Sequence, residues 1–300
     1  MNLSKKTKKI AYISFAVLVL IAILIFFGKA VYSSWNDISS LSHNFNYVYL
    51  ILSFLFWLIT LLLLAIAYHF LIVKLGAKST LIKTAKARAF SDIGSYVPGK
   101  VVPLITRIYY LKDYASKVQI ITSSFIETIA VLLSSIFAFA IIYMVQPGIF
   151  AKYAFVFYAL FPLCLLCMHP KVISFLINLG LKVIKKEQAE IKLRYADIIK
   201  VNLIYSLYWI ISGIAIFFMI LAIYPLSISY FPYVMVSYAV AWVIGFISFI
   251  VPAGMGVREG VLVYMLALYM PLPVALAAAV GARLLVAIAH LTFVLLLARE

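Results

Sequence analysis

"FIVPAGMGVREGVLVY", residues 249–264, places a proline, three glycines and an adjacent Arg258–Glu259 pair between apolar segments. A helix that merely crosses a bilayer needs none of these. Proline removes a backbone donor, glycine lowers helix stability, and charge at membrane depth is costly. The stretch reads as a deliberate break inside a membrane segment.

The surrounding composition supplies the membrane. Hydrophobic residues make up 67% of the 300 positions, charged residues only 11%, and the mean hydropathy is +1.15. A soluble domain carries roughly a quarter charged residues. Several apolar runs reach the roughly 20 residues that span a bilayer. The expected fold class is therefore all-α integral membrane: a polytopic helical bundle forming a single transmembrane domain over 1–300.

The net charge of +16 is distributed in short blocks beside apolar runs. Lys5, Lys6, Lys8 and Lys9 form one block; Lys74, Lys78, Lys83, Lys86 and Arg88 form another; a third runs from Lys171 to Lys200. This is the positive-inside pattern, with anionic headgroups as nearest partners. It points away from nucleic acid, for which no motif is present.

Along the chain, helices are expected over about 10–27, 47–73, 118–145, 151–168, 201–223 and 274–298. The first is read as an uncleaved helix rather than a signal peptide. Residues 169–200 form a basic amphipathic cytoplasmic segment, with Val172, Phe175, Leu176, Leu179, Val183 and Ile184 at helical spacing. It divides a first half, about 1–168, from a second, about 201–300. Each half holds one interrupted segment. The first, "RAFSDIGSYVPGKVVPLITRIYYLKDY", contains Gly94, Pro98, Gly99, Lys100 and Pro103; the second is the opening stretch. Both fit re-entrant hairpins, whose irregular backbone must be surrounded by protein. If the second opens outward, the halves form an inverted repeat, the arrangement that marks transport sites near the midplane.

The broken segments carry the candidate chemistry. Gly254 and Gly256 permit a sharp bend, and a helix starting near Val257 points its first N–H groups at it. Arg258 adds a forked donor suited to phosphate. Glu259 suits the first helical turn and can hold Arg258 or another cation. In the first hairpin, Lys100 sits in the break and Arg107 follows; the competing reading is that both reach out to cytoplasmic headgroups. Glu127 lies about 15 Å into its helix, at a rise of about 1.5 Å per residue. Arg283 lies at similar depth in the last helix. Each needs a partner, either one another or the Arg258–Glu259 pair.

Other motifs are weaker. Cys164 and Cys167, in "PLCLLCMHP", lack the further ligands of a metal site and the βαβ setting of a redox motif. His69, His169 and His290 are scattered near helix ends. No catalytic residue, metal site or cofactor is indicated.

The order "YVPGK", Arg107, Glu127, "VPAGMGVREG" and "LAAAVGARLL" resembles the flippase-like transmembrane family of lysylphosphatidylglycerol synthases (UPF0104), over nearly the whole chain. The resemblance implies that Pro98, Gly99, Lys100, Arg107, Glu127, Gly254, Gly256, Arg258, Glu259 and Arg283 fall on characteristic positions. Family members with a fused soluble domain make lysyl-phosphatidylglycerol there and move it between leaflets with the membrane part. Others stand alone or accompany enzymes of lipid-linked glycan assembly. Two departures concern headgroup choice: Val101-Val102-Pro103 follows the P-G-K, and Ala253 and Met255 interrupt the later glycines. With the chain ending at Glu300, lysyl transfer is not expected.

The resulting expectation is a non-enzymatic protein of the cytoplasmic membrane that moves, or assists movement of, a phosphate-bearing lipid. The alternative is an integral-membrane enzyme or subunit of lipid-linked glycan assembly, with Asp37 and His43 as its only candidate cluster. A soluble enzyme partner would dock at the cytoplasmic face through 170–200.

Overall fold

The computed structural model describes Ile25, Lys29 and Tyr32, then residues 45–96, 101–145, 162–163, 166–167, 169–183, 193–248 and 254–298. Most of the expected helices over 10–27 and 151–168, the Asp37–His43 cluster, Pro98, Gly99, Lys100 and Cys164 lie outside the described residues.

The first half contains α1 (Tyr47–Lys74), α2 (Leu81–Gly94), α3 (Val102–Leu111) and α4 (Lys117–Val145). Helix α5 (Pro170–Val183) leads to the second half: α6 (Tyr195–Leu221), α7 (Phe231–Ile247), α8 (Val257–Leu266) and α9 (Leu272–Ala298). No strand occurs among the described residues. Among the described residues, a long helix, two shorter helices and another long helix recur in each half. Five helical stretches among the described residues are long and apolar enough to cross a membrane: Tyr47–Lys74, Lys117–Phe137, Tyr195–Leu221, Ile228–Ile247 and Leu272–Ala298. The protein is an all-α polytopic membrane protein.

Local signals set the helix ends. The Asn46 side chain accepts from the amides of Val48 and Tyr49 at 3.0 and 3.3 Å, satisfying orphan donors of α1. Thr80 caps α2 in the same way, and Pro103 sits in the first turn of α3, where a missing donor costs nothing. Helix α6 begins at Tyr195, six residues before the sequence expectation. Asp197 lies in its first turn and accepts from the Arg194 amide at 3.2 Å, so the end of the stretch assigned to the amphipathic segment is the capped start of the apolar helix.

The short helices fold back on one another. In the first pair, the Ser91 hydroxyl donates to the Pro103 carbonyl at 3.0 Å and the rings of Phe90 and Tyr110 stack at 4.9 Å. Lys83 reaches Tyr114, closing the open end. In the second pair, Gly245 lies against Arg258 near the bend, while the Tyr230 and Tyr269 rings stack at 5.7 Å at the open end.

The two hairpins open at opposite ends of the bundle. The amide of Lys78 donates to the Tyr114 carbonyl at 2.9 Å, and Lys74 pairs with Asp197 at 3.0 Å, so the starts of α2, α4 and α6 share one basic end. At the other end Asn46 donates to Ala222 at 2.9 Å. The tips meet between these ends: Tyr96, just beyond α2, clusters with Val280 of α9, and Met255 packs against them.

Packing follows membrane rules. On α1, Ser53, Trp57, Thr60, Ala67 and Tyr68 face inward, whereas Ile51, Leu55 and Leu62 are exposed. That inside-out polarity suits a lipid surround. Ala278, Ala279, Ala282 and Ala289 of α9 are buried, and such small residues let backbones approach closely.

Candidate functional site

Charge is concentrated where the hairpins meet the long helices. In the first half, Glu127 projects from α4 between two arginines. Its carboxylate pairs with Arg88 of α2 and with Arg107 of α3, and it accepts from the Tyr205 hydroxyl of α6 at 3.2 Å. All four side chains are buried. Arg107 also donates to Ser91 and Ser124, both at 3.1 Å, and its guanidinium lies 4.2 Å above the Tyr68 ring. Arg88 donates through Nε to both oxygens of Asp92, at 3.1 and 3.2 Å.

These contacts decide between the sequence readings. Arg107 does not reach out to headgroups; it is buried and bound to Glu127. Glu127 takes Arg88 and Arg107 as partners rather than Arg283 or Arg258. Arg88, assigned from sequence to a cytoplasmic basic block, is 8% exposed and belongs to the interior. The i,i+4 spacing of Arg88 and Asp92 was the available signal, because it places opposite charges on one helical face.

The second half reverses the signs. There the long helix α9 supplies the cation, Arg283, and the hairpin supplies the carboxylate, Glu259, at 3.4 Å. Glu259 also accepts from the Gly256 amide at 2.7 Å. Its carboxylate therefore caps α8 and occupies a donor that the sequence had left free for a ligand. Gly256 has φ +81° and Gly254 φ +67°, values that a side chain strongly disfavours. Glu259 holds Arg283, not its neighbour Arg258.

Arg258 instead donates to the Tyr238 hydroxyl of α7 and lies 4.6 Å above that ring. Tyr238 is fixed in turn by edge contacts with Trp57 and Trp209, at 5.5 and 6.1 Å. A cavity with room for about one water molecule opens between Tyr238, Arg258, Glu259, Ala279, Ala282 and Arg283. Arg283 lies 5.2 Å from the Tyr96 ring, and its Nε and Nη2 atoms are buried without a hydrogen-bond partner. A buried guanidinium with unused donors, beside a second one, can take up an anion with two acceptor oxygens.

The structure thus brings Arg258, Glu259 and Arg283 together and, separately, Arg107 and Glu127. Gly254 and Gly256 shape the bend between α7 and α8. Sequence reasoning missed Arg88, Asp92, Tyr205, Tyr238 and Gly245. The tyrosines and Gly245 gave no signal, since they resemble ordinary apolar positions.

No group of three or more His, Cys, Asp or Glu side chains able to hold a metal ion occurs among the described residues. Cys167 is a free, half-buried thiol. No curated protein matches this chain. The family model described as "Lysylphosphatidylglycerol synthase TM region" matches residues 13–294, and with that match over nearly its whole length, together with its apolar helices and buried charges, the chain belongs to that family of membrane proteins linked to lipid handling.

Proposed function

We propose that this protein moves, or assists the movement of, a phosphate-bearing lipid between the leaflets of the cytoplasmic membrane, without itself catalysing group transfer. The α2–α3 and α7–α8 hairpins re-enter the membrane from opposite sides, as related parts of an inverted repeat formed by residues 1–168 and 201–300. The headgroup is held at Arg258 and Arg283 while the acyl chains stay in lipid. By sequence, Lys100 is a further candidate for headgroup contact.

One observation carries this reading. Arg283 is 5% exposed, its Nε stands 3.4 Å from the Glu259 carboxylate without forming a hydrogen bond, and its Nη2 has no hydrogen-bond partner among the described residues, beside a small cavity. Arg107, by contrast, donates to Ser91, Ser124 and Glu127. Ionisable groups inside membranes ordinarily mark substrate pathways. Glu127, Arg88 and Arg107 serve as the rigid counterpart that holds the first hairpin in place.

The test is reconstitution of the purified protein into vesicles containing fluorescent phosphatidylglycerol in one leaflet. Faster equilibration than in protein-free vesicles is expected, with loss in Arg258→Lys because lysine lacks the planar fork. Unchanged equilibration would overturn the reading. Sugar or lysyl transfer to a lipid by the pure protein would replace it with an enzymatic one.

A further inference from the structure

At the edge of the charged clamp, Asp92, already bound to Arg88, also faces a histidine that neither the clamp nor the headgroup site uses. His290, on α9, turns Nε2 toward Asp92 Oδ2 of α2 at 4.0 Å, and the two side chains are 17% and 20% exposed. This contact joins the first hairpin to the last helix of the second half. Nδ1 of His290 is buried with no hydrogen-bond partner among the described residues. Nε2 is the ring nitrogen that faces a carboxylate. That atom is where a proton would land.

We propose that Asp92 and His290 form a proton-binding pair coupled to the headgroup site, so that uptake of an anionic lipid headgroup and uptake of one proton favour each other. The inference rests on the lipid-transport reading and adds its coupling ion. The step is a plain protonation: His290 Nε2 gains a proton from water on binding and returns it to water when the headgroup leaves.

The surrounding charges give the coupling its sign. From α2, Asp92 and Arg88 face His290, and the Tyr96 ring stands edge-on at 6.4 Å. On α9 itself Arg283 lies two turns away, on the same face, with Glu259 of α8 behind it. Behind Asp92 stand Arg107 of α3, Glu127 of α4 and Tyr205 of α6; α1 contributes Tyr68 beneath Arg107. The seam among the described residues therefore holds Arg88, Arg107, Arg258 and Arg283 against Asp92, Glu127 and Glu259. It carries one net positive charge with His290 neutral and two with it protonated.

A protonated imidazole also competes with Arg88 for Asp92. Arg88 is then drawn more fully to Glu127, and the added charge stays close to Arg283. Each change strengthens the attraction for an anion entering beside Arg283. By thermodynamic linkage the anion must hold the proton with the same coupling. Both side chains are partly exposed, unlike those of the sealed clamp around Glu127.

The probe is dihexanoyl-phosphatidylglycerol, titrated calorimetrically into the detergent-solubilised full chain between about pH 5 and pH 8, the range in which histidine changes charge. Two buffers of different ionisation enthalpy report the protons exchanged. Binding is expected to tighten by about five-fold or more toward the acidic end, with close to one proton taken up, a modest site–site coupling. His290→Gln should bind with a pH-independent affinity, and histidine-selective NMR of the ligand-free protein should show His290 titrating, with a shifted midpoint in Asp92→Asn. Binding by the wild type that does not vary with pH, the same pH dependence in His290→Gln, or a His290 resonance that does not titrate would each overturn the coupling alone. Absence of binding at every pH would overturn it together with the headgroup site.

Discussion

Gly245 of α7 and Arg258 of α8 touch backbone to side chain: a Cβ at position 245 would stand 2.9 Å from the Arg258 Cβ. The helices of the second hairpin therefore approach at a point where only hydrogen fits, and that approach sets where the Arg258 guanidinium emerges. Gly245 also receives the bend, since a Cβ on Gly254 would lie 2.7 Å from its carbonyl oxygen.

A graded glycine series follows from these contacts. Gly254→Ala combines φ +67° with a clash against backbone, and should be the most damaging. Gly245→Ala should cost about 1–3 kcal/mol, the usual penalty for overpacking. Gly260→Ala meets nothing within 4 Å and should be neutral or gain up to about 1 kcal/mol from helix propensity. Thermal unfolding in detergent checks the order. A Gly260→Ala protein less stable than Gly245→Ala would contradict the close approach.

The first-half clamp predicts asymmetry between its members. Glu127→Leu leaves Arg88 and Arg107 buried without their shared carboxylate, and should destabilise by about 3–5 kcal/mol. Arg107→Leu leaves Glu127 with Arg88 and Tyr205, so its cost should be smaller. Detergent-extracted stability of the two variants, measured side by side, reads the difference. Equal costs would mean that Arg88 does not hold Glu127.

Much of this arrangement was legible in the sequence, for identifiable reasons. Length and hydropathy exposed α1, α4 and α9 to within a residue or two, because about 20 apolar residues have few other uses. The breaks were visible through Pro103, Gly254 and Gly256. The pairing of charges was not. Depth along a helix places Glu127 and Arg283 at similar levels but does not say which hairpin turns toward which long helix. That is settled by packing: Ser91 on Pro103 directs α3 toward α4, and Gly245 on Arg258 turns Glu259 toward α9. Arg88 was hidden by its neighbours, since a cation following Lys83 and Lys86 looks like one more member of a surface block.

Pair identity in the second half is open to a double-mutant cycle. Sequence adjacency suggests an Arg258–Glu259 pair; the structure gives Glu259 to Arg283 at 3.4 Å. Glu259→Gln and Arg283→Met should therefore couple by about 0.5–3 kcal/mol, as residues in contact do, whereas Glu259→Gln and Arg258→Met should add within about 0.5 kcal/mol. Reversed couplings would restore the adjacent pair. Arg258→Lys should leave stability nearly intact, because its ring contact with Tyr238 tolerates an ammonium, while still impairing translocation.

Sidedness gives the last prediction, and it bears on whether α7 crosses the membrane or turns back within it. By length and composition Ile228–Ile247 qualifies as a span. A helix that crossed would place Tyr230 and Tyr269 on opposite sides if α8 stayed with the far surface. The stacking of those two rings at 5.7 Å, with the Ser237 and Tyr269 hydroxyls 3.0 Å apart, keeps both ends of the hairpin together. By the positive-inside rule the basic ends of α1 and α4 are expected on the cytoplasmic side; the prediction is then that the α7–α8 hairpin opens outward and α9 runs inward, where Val294 near its end packs on Phe90 and Ile93 of α2. Single cysteines replacing Ser229 and Leu268, in a Cys164→Ser/Cys167→Ser background, should both react with an impermeant maleimide added to intact cells. One replacing Ser79 should react only after permeabilisation, and a tag appended to the C-terminus should be protected from external protease. Labelling of Ser229 but not Leu268 from outside would show that α7 spans the bilayer, and would remove the inverted relation between the two halves.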